Sequence, residues 1–188
     1  TMTPEFLNVL RGQIEAPDRD LRQRAINTLA ALKDEVVQER LLEDLSSDKP
    51  EEERIVPTVS ALAMLGQDEK TLSTPLLRKI ATTPPNEESR AEAVRQMSSD
   101  PEASEDLLSL MKDENVPLTT REMIPGMVSE ADPVAFLNAA AEILGTSGAE
   151  NELAPWLVKA AATIETPEAA AAFASTKRVV EELRANAP

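Results

Sequence analysis

The sequence predicts an all-α protein, a right-handed α-solenoid of about four stacked helix pairs closed by helical caps. Two observations carry that expectation. The first is a recurring pattern: Arg22, Arg54, Arg90 and Arg121 stand 32, 36 and 31 residues apart. Each is followed three positions on by a small or apolar residue (Ala25, Pro57, Ala93, Ile124), and later by a bulky apolar pair: Leu41-Leu42, Leu76-Leu77, Leu107-Leu108 and Phe136-Leu137. A period of this size marks units of two helices that bury their apolar faces only against their neighbours. The second is composition. Apolar residues make up 41% of the 188 residues but aromatics only 2%, so the core is built from Leu, Ala, Val, Ile and Met, which pack well helix on helix. Strand formers are scarce, with no Tyr, three Phe and one Trp.

The elements follow in order. A first helix is expected over 4–15, opened by the hydroxyl of Thr3, with Pro4 at the first helical position and Glu5 favoured by the helix dipole. Helices over 18–32 and 35–46 come next, the second capped by Asp34. Leu21, Ala25, Leu29 and Leu32 share one face of the former, and Val37, Leu41 and Leu45 one face of the latter. Segment 51–65 reads as a helix that contains Pro57 and stops at Gly66. Helices over 71–82, 87–98 (capped by Asn86) and 101–112 (Asp100 before Pro101) lead to 118–130, which contains Pro125. Then come 133–144 (Asp132 before Pro133, stopping at Gly145), 150–164 (containing Pro155) and 168–186 (Thr166 before Pro167). Pro57, Pro125 and Pro155 therefore read as interior prolines that kink or restart their helices, and a kink recurring at one place in the repeat bends the stack consistently. Connections are short and polar, and the alanine runs 139–141, 160–162 and 169–172 read as close helix contacts. One domain is expected over 1–188, with 1–17 as N-terminal cap, 18–144 as repeats and 150–188 as C-terminal helices.

Composition also limits function. Cysteine is absent, which removes disulfides, thiolate nucleophiles and Cys-zinc sites; histidine is absent, which removes the commonest general base and metal ligand. The formal charge is −15, with residues 1–132 carrying 27 acids against 15 bases and 133–188 carrying 7 against 4. Such a chain repels phosphate backbones and anionic membrane surfaces, so neither nucleic acid nor a membrane is expected as a partner, whereas a basic protein is attracted. No apolar run approaches the ~20 residues of a membrane span, and no signal peptide opens the chain. The lack of cysteine suits the cytoplasm. Thr1 precedes Met2, which fits either an added residue or a piece of something larger.

The repeat resembles the HEAT family of paired-helix units, in which a leucine pair is followed by an Asp at the turn and an Arg early in the next helix. Leu41-Leu42, Leu45, Asp48 and Arg54 fit that pattern, as do Leu107-Leu108, Leu110, Asp113 and Arg121. Between them the pattern departs: Leu76-Leu77 and Ile80 lead to Thr82, Thr83 and two prolines, with no Asp before Arg90. The resemblance covers about 18–144. It implies that Asp48 with Arg54, and Asp113 with Arg121, are structural pairs stitching successive units, and that the stitch is missing or replaced before Arg90.

Candidate chemistry is sparse. The acidic runs Glu51-Glu52-Glu53, Glu87-Glu88, Glu150/Glu152 and Glu181-Glu182 lack the spacing of a calcium loop and read as solvated helix starts. Trp156, among Leu153, Leu157, Val158 and Ala160, reads as packing the last repeat, and Met64, Met97, Met111, Met123 and Met127 as core gap fillers. Gly145 to Gly148 is a turn without a phosphate-binding lysine, and no nucleophilic Ser motif occurs. No catalytic residue, metal site or cofactor is expected.

The function expected is a non-catalytic scaffold or adaptor that binds a basic protein partner on a concave surface. In solenoids the second helix of each pair lines that surface. The outward row there is Glu39, Glu43, Lys79, Glu105, Ser109, Asn138 and Glu142. The alternatives are a structural spacer in a larger chain and, more remotely, an enzyme on the same scaffold. Among HEAT-like enzymes, the alkylpurine DNA glycosylases need a basic groove that this chain lacks. The phycobilisome bilin lyases need a pocket for an acidic tetrapyrrole.

Overall fold

A computed structural model describes residues 2–68, 71–165 and Ala185; within them every regular element is helical and no strand occurs. The trace groups into two compact units that divide between Ala93 and Val94.

The first unit holds α1 (Pro4–Gly12), α2 (Arg19–Ala31), α3 (Glu35–Ser46), α4 (Thr58–Leu65) and α5 (Thr74–Thr82), and ends within α6 (Glu87–Met97). Cap oxygens set the starts. Thr3 accepts from Phe6 N–H, Asp34 from Val37 N–H at 3.1 Å and Asn86 from Ser89 N–H at 2.8 Å; Asp18 and Ser73 cap α2 and α5 in the same way. The core is aliphatic. Ala25, Ile26 and Leu29 of α2 pack in one buried layer with Val37, Leu41 and Leu45 of α3 and Ala61, Leu62 and Leu65 of α4. The α3 face is the one expected. The α2 face is rotated by about one position: Leu21 and Leu32 are 46% and 49% exposed, and Ile26 takes their place inside. The physical reason is that Arg22 must reach backbone carbonyls on the buried side, which turns Leu21 outward.

The second unit holds α7 (Ser104–Lys112), α8 (Leu118–Arg121), α9 (Ile124–Ala131), α10 (Pro133–Ser147) and α11 (Ala154–Ala161). Helix α9 is its hub, packed on α7, α8, α10 and α11. Leu107, Met111, Ile124, Val128, Phe136, Leu137, Leu144, Leu153 and Leu157 fill the core.

Of the two outcomes expected at the three prolines, a kink or a restart, all three show the restart. Pro57 is extended and immediately precedes α4, while Pro125 and Pro155 sit in the first turns of α9 and α11. Each lies where its missing N–H has no ladder partner to lose, so each restarts a helix instead of bending one. Segment 51–65 accordingly becomes a 3-10 turn at Glu51–Glu53 followed by α4, and 118–130 becomes α8 and α9. Gly66 ends α4 as expected, but α10 runs through Gly145 and stops at Gly148, whose φ of +59° ends the helical path. The helix expected over 168–186, with its Thr166-Pro167 start and the 169–172 alanine run, lies outside the described residues, Ala185 excepted.

Candidate functional site

The four recurring arginines share one role. Each donates to a backbone carbonyl close before it in the chain. Arg22 reaches Ala16 O at 2.9 Å and also Ile55 O at 3.0 Å. Arg54 reaches Asp44 O at 2.6 Å and Ser47 O at 3.3 Å, Arg90 reaches Ala81 O at 3.0 Å, and Arg121 reaches Val116 O at 2.8 Å. Carbonyls at and beyond a helix C-terminus have no intrahelical donor, and a planar, permanently charged fork satisfies them well. The Asp partners implied by the family resemblance are replaced. Asp48 accepts from Lys79 at 3.3 Å, and Asp113 from Asn115 N–H at 2.9 Å, while Arg121 adds Glu152 at 3.2 Å. The junction before Arg90, which lacks an Asp in sequence, is therefore no exception; Glu87 accompanies the carbonyl there at 3.0 Å. Arg54 and Arg121 thus contact backbone carbonyls, and Arg121 also Glu152, where the resemblance implies Asp48 and Asp113.

The outward row falls in both units and is best taken one unit at a time. In the first, Glu39 and Glu43 line an open cavity of about 420 Å³ between the end of α1 and α3. Arg11, Ile14, Glu15, Val36 and Arg40 complete its walls. Arg40 is gripped by Glu15 through Nε at 3.0 Å and a second nitrogen at 2.8 Å, with Glu43 at 4.0 Å. Glu39 is exposed and has no ion pair among the described residues. Behind the cavity Arg11 forks onto Asp34, with Nε at 3.0 Å. That hydrogen bond holds the Asp34 carboxyl below its usual range, outweighing burial, and the Val37 N–H adds to it; the same contact raises the Arg11 guanidinium. Lys79 stands apart from the cavity, tied to Asp48 and facing Ser46 O.

In the second unit Glu105, Ser109, Asn138 and Glu142 are exposed on α7 and α10. Lys112 bridges to Glu142 at 3.3 Å, and the Ser109 hydroxyl donates back to Glu105 O at 3.0 Å. Of this part of the row, Glu105 and Asn138 keep their polar groups turned to solvent without such ties among the described residues. Trp156 does not pack inside as expected: it is 37% exposed, while Leu153, Leu157 and Ala160 beside it are buried. Met97 and Met111 are core residues, whereas Met123 lines a surface groove.

Arg11, Glu15 and Arg40 line the cavity and are not singled out by the sequence pattern. Arg40 and Glu43 are legible as a helix pair three apart, but nothing local joins Glu15 to Arg40, 25 residues away. Asp44 was missed too. It is buried, and neither carboxylate oxygen has a hydrogen-bond partner; Arg54 Nε, 3.8 Å from Glu51 Oε2, also lacks one. No group of three or more His, Cys, Asp or Glu among the described residues is placed to hold a metal ion, and no described helix is long and apolar enough to cross a membrane. No family model, curated protein or solved structure matches the chain.

Proposed function

We propose that this chain is a non-catalytic protein-binding module of HEAT-like helix pairs, and that its α1–α3 cavity receives a basic side chain from a partner protein. The observation that carries this reading is the charge balance at the cavity. Glu15, Glu39 and Glu43 face it, Arg40 serves two of them, and Arg11 is already engaged by Asp34. An incoming lysine or arginine meets Glu39 without displacing an existing pair. The formal charge of −15 steers such a partner from a distance.

The repeat reading draws support from the spacing of long-range polar contacts. Arg22 to Ile55, Lys79 to Asp48, Lys112 to Glu142 and Arg121 to Glu152 span 33, 31, 30 and 31 residues, close to the intervals between the arginines. A polar contact carried one repeat along the chain is what stacked helix pairs produce. On this reading Glu39 and Glu43 in the first unit, and Glu105, Ser109, Asn138 and Glu142 in the second, belong to contact surfaces, and the module needs no cofactor.

The test is retention of partners from a lysate of the source organism on immobilised protein, at low and moderate salt, followed by affinity measurement with the purified partner. A basic partner weakened by salt, and lost with Glu39→Lys and Glu43→Lys, is expected. Retention that ignores both the salt and the charge reversal overturns the cavity reading, and no retention at all favours the spacer alternative.

A further inference from the structure

A second surface, in the other unit and independent of the acidic cavity, has the geometry of a receptor for a helix. Helices α9 and α11 pack together and leave between them an open groove of about 370 Å³. One wall is the stripe Glu122, Gly126 and Glu130, spaced four and eight along the turn into α9 and the helix itself; the other is Trp156, Lys159 and Thr163, spaced three and seven along α11 and its end. Each stripe runs about two turns, ~12 Å at 1.5 Å per residue. Ridges at these spacings accept the ridges of a third helix.

The floor is apolar. Met123, Pro125 and Ala160 line it, and the two hydroxyls within it are turned back on their own backbones: Ser129 to Gly126 O at 3.0 Å and Thr163 to Ala160 O at 2.7 Å. Polarity is confined to the rim, where Glu122 and Glu130 stand on the α9 side and Lys159 on the α11 side. Gly126 supplies a separate observation. A helical glycine is less stable than alanine, and a Cβ built at Gly126 would meet nothing within 4 Å. No neighbour in the described chain requires the missing side chain; its absence keeps the groove open.

We propose that this groove docks an amphipathic helix of a partner protein, with an aliphatic or aromatic anchor seated over Gly126 against Trp156 and a lysine or arginine paired with Glu122 and Glu130. The rim selects the charge of the occupant. A second copy of this chain is the poorer occupant, because two chains at −15 repel.

Trp156 is the only tryptophan, and there is no tyrosine, so its emission reports the groove directly. The full chain is titrated with a short amphipathic helical peptide of Leu, Ala and Lys, and with the same peptide carrying Glu for Lys. A saturable blue shift with the lysine peptide alone is expected. It should be lost in Gly126→Leu, weakened about tenfold or more in Glu122→Lys with Glu130→Lys, and unchanged in Glu39→Lys with Glu43→Lys. Circular dichroism checks the fold of Gly126→Leu; should that variant misfold, the rim charge reversal decides. No saturable shift, or equal binding by a folded Gly126→Leu, overturns the proposal. So does an emission that shifts with protein concentration alone, which assigns the groove to a second copy. An emission already blue in the free chain and unmoved by either peptide assigns it to the chain itself, with the same consequence.

Discussion

Replacing Arg54 with alanine tests the carbonyl-capping role of the recurring arginines most directly. Its side chain is 11% exposed, donates to Asp44 O and Ser47 O, and pairs with Glu51 at 3.8 Å. Asp44 O keeps the Ser47 hydroxyl at 2.6 Å and the Ser47 N–H at 3.2 Å, so its loss is partial; Ser47 O loses its donor, and Glu51 loses its ion pair. Charge-assisted hydrogen bonds contribute roughly 1.5–3 kcal/mol each when buried. With one of the two carbonyls still served, about 2 kcal/mol is expected. At a urea slope near 2 kcal/mol per molar, the midpoint falls by about 1 M. Asp48→Ala is the contrast. Asp48 is 97% exposed and meets only the half-exposed Lys79, so its removal should cost under ~0.5 kcal/mol. Equilibrium urea unfolding of both variants reads the difference. A midpoint unmoved by Arg54→Ala, or lowered equally by Asp48→Ala, refutes carbonyl capping and restores the Asp–Arg stitch.

Other outcomes follow from the same geometry. The Asp34 carboxyl is held below its unfolded value. Its contribution is therefore fully present above about pH 4 and is lost as pH falls through the folded value; Asp34→Asn should flatten that part of a urea-midpoint series run from neutral to acidic pH. Ile26→Ala should cost about 2–5 kcal/mol, since the side chain is fully buried, whereas Leu21→Ala should cost under ~0.5 kcal/mol; chemical denaturation reads both. Gly126→Ala should raise stability by roughly 0.5–1 kcal/mol, because the added methyl enters open space on a helix, and a thermal melt shows the sign.

Legibility in the sequence followed the range of the forces. Thr3, Asp34, Asn86 and Asp132 were readable as caps because a cap bond spans two or three residues. The α3 face was readable from Val37, Leu41 and Leu45 because their helical spacing has one apolar side. On α2, Leu21, Ala25, Ile26, Leu29 and Leu32 offer two overlapping apolar stripes. The choice between them was made by Arg22 reaching Ile55 O, 33 residues away. Pro57, Pro125 and Pro155 were located correctly as interruptions, but whether a proline kinks or restarts a helix depends on what packs beside it.

By itself, the sequence determined the all-helical class, most helix starts, the aliphatic core and the recurrence of Arg22, Arg54, Arg90 and Arg121, since these rest on local spacing, composition and capping chemistry. Only tertiary structure decided what those arginines hold. It gave each a backbone carbonyl to hold, kept Glu51, Glu87 and Glu152 beside three of them, brought Glu15 to Arg40 and Arg11 to Asp34, and left Trp156 on the wall of an open groove. Those outcomes depend on which helix ends meet across roughly 23 to 33 residues of chain. Residue type restricts such meetings, but the packing of aliphatic faces selects among them.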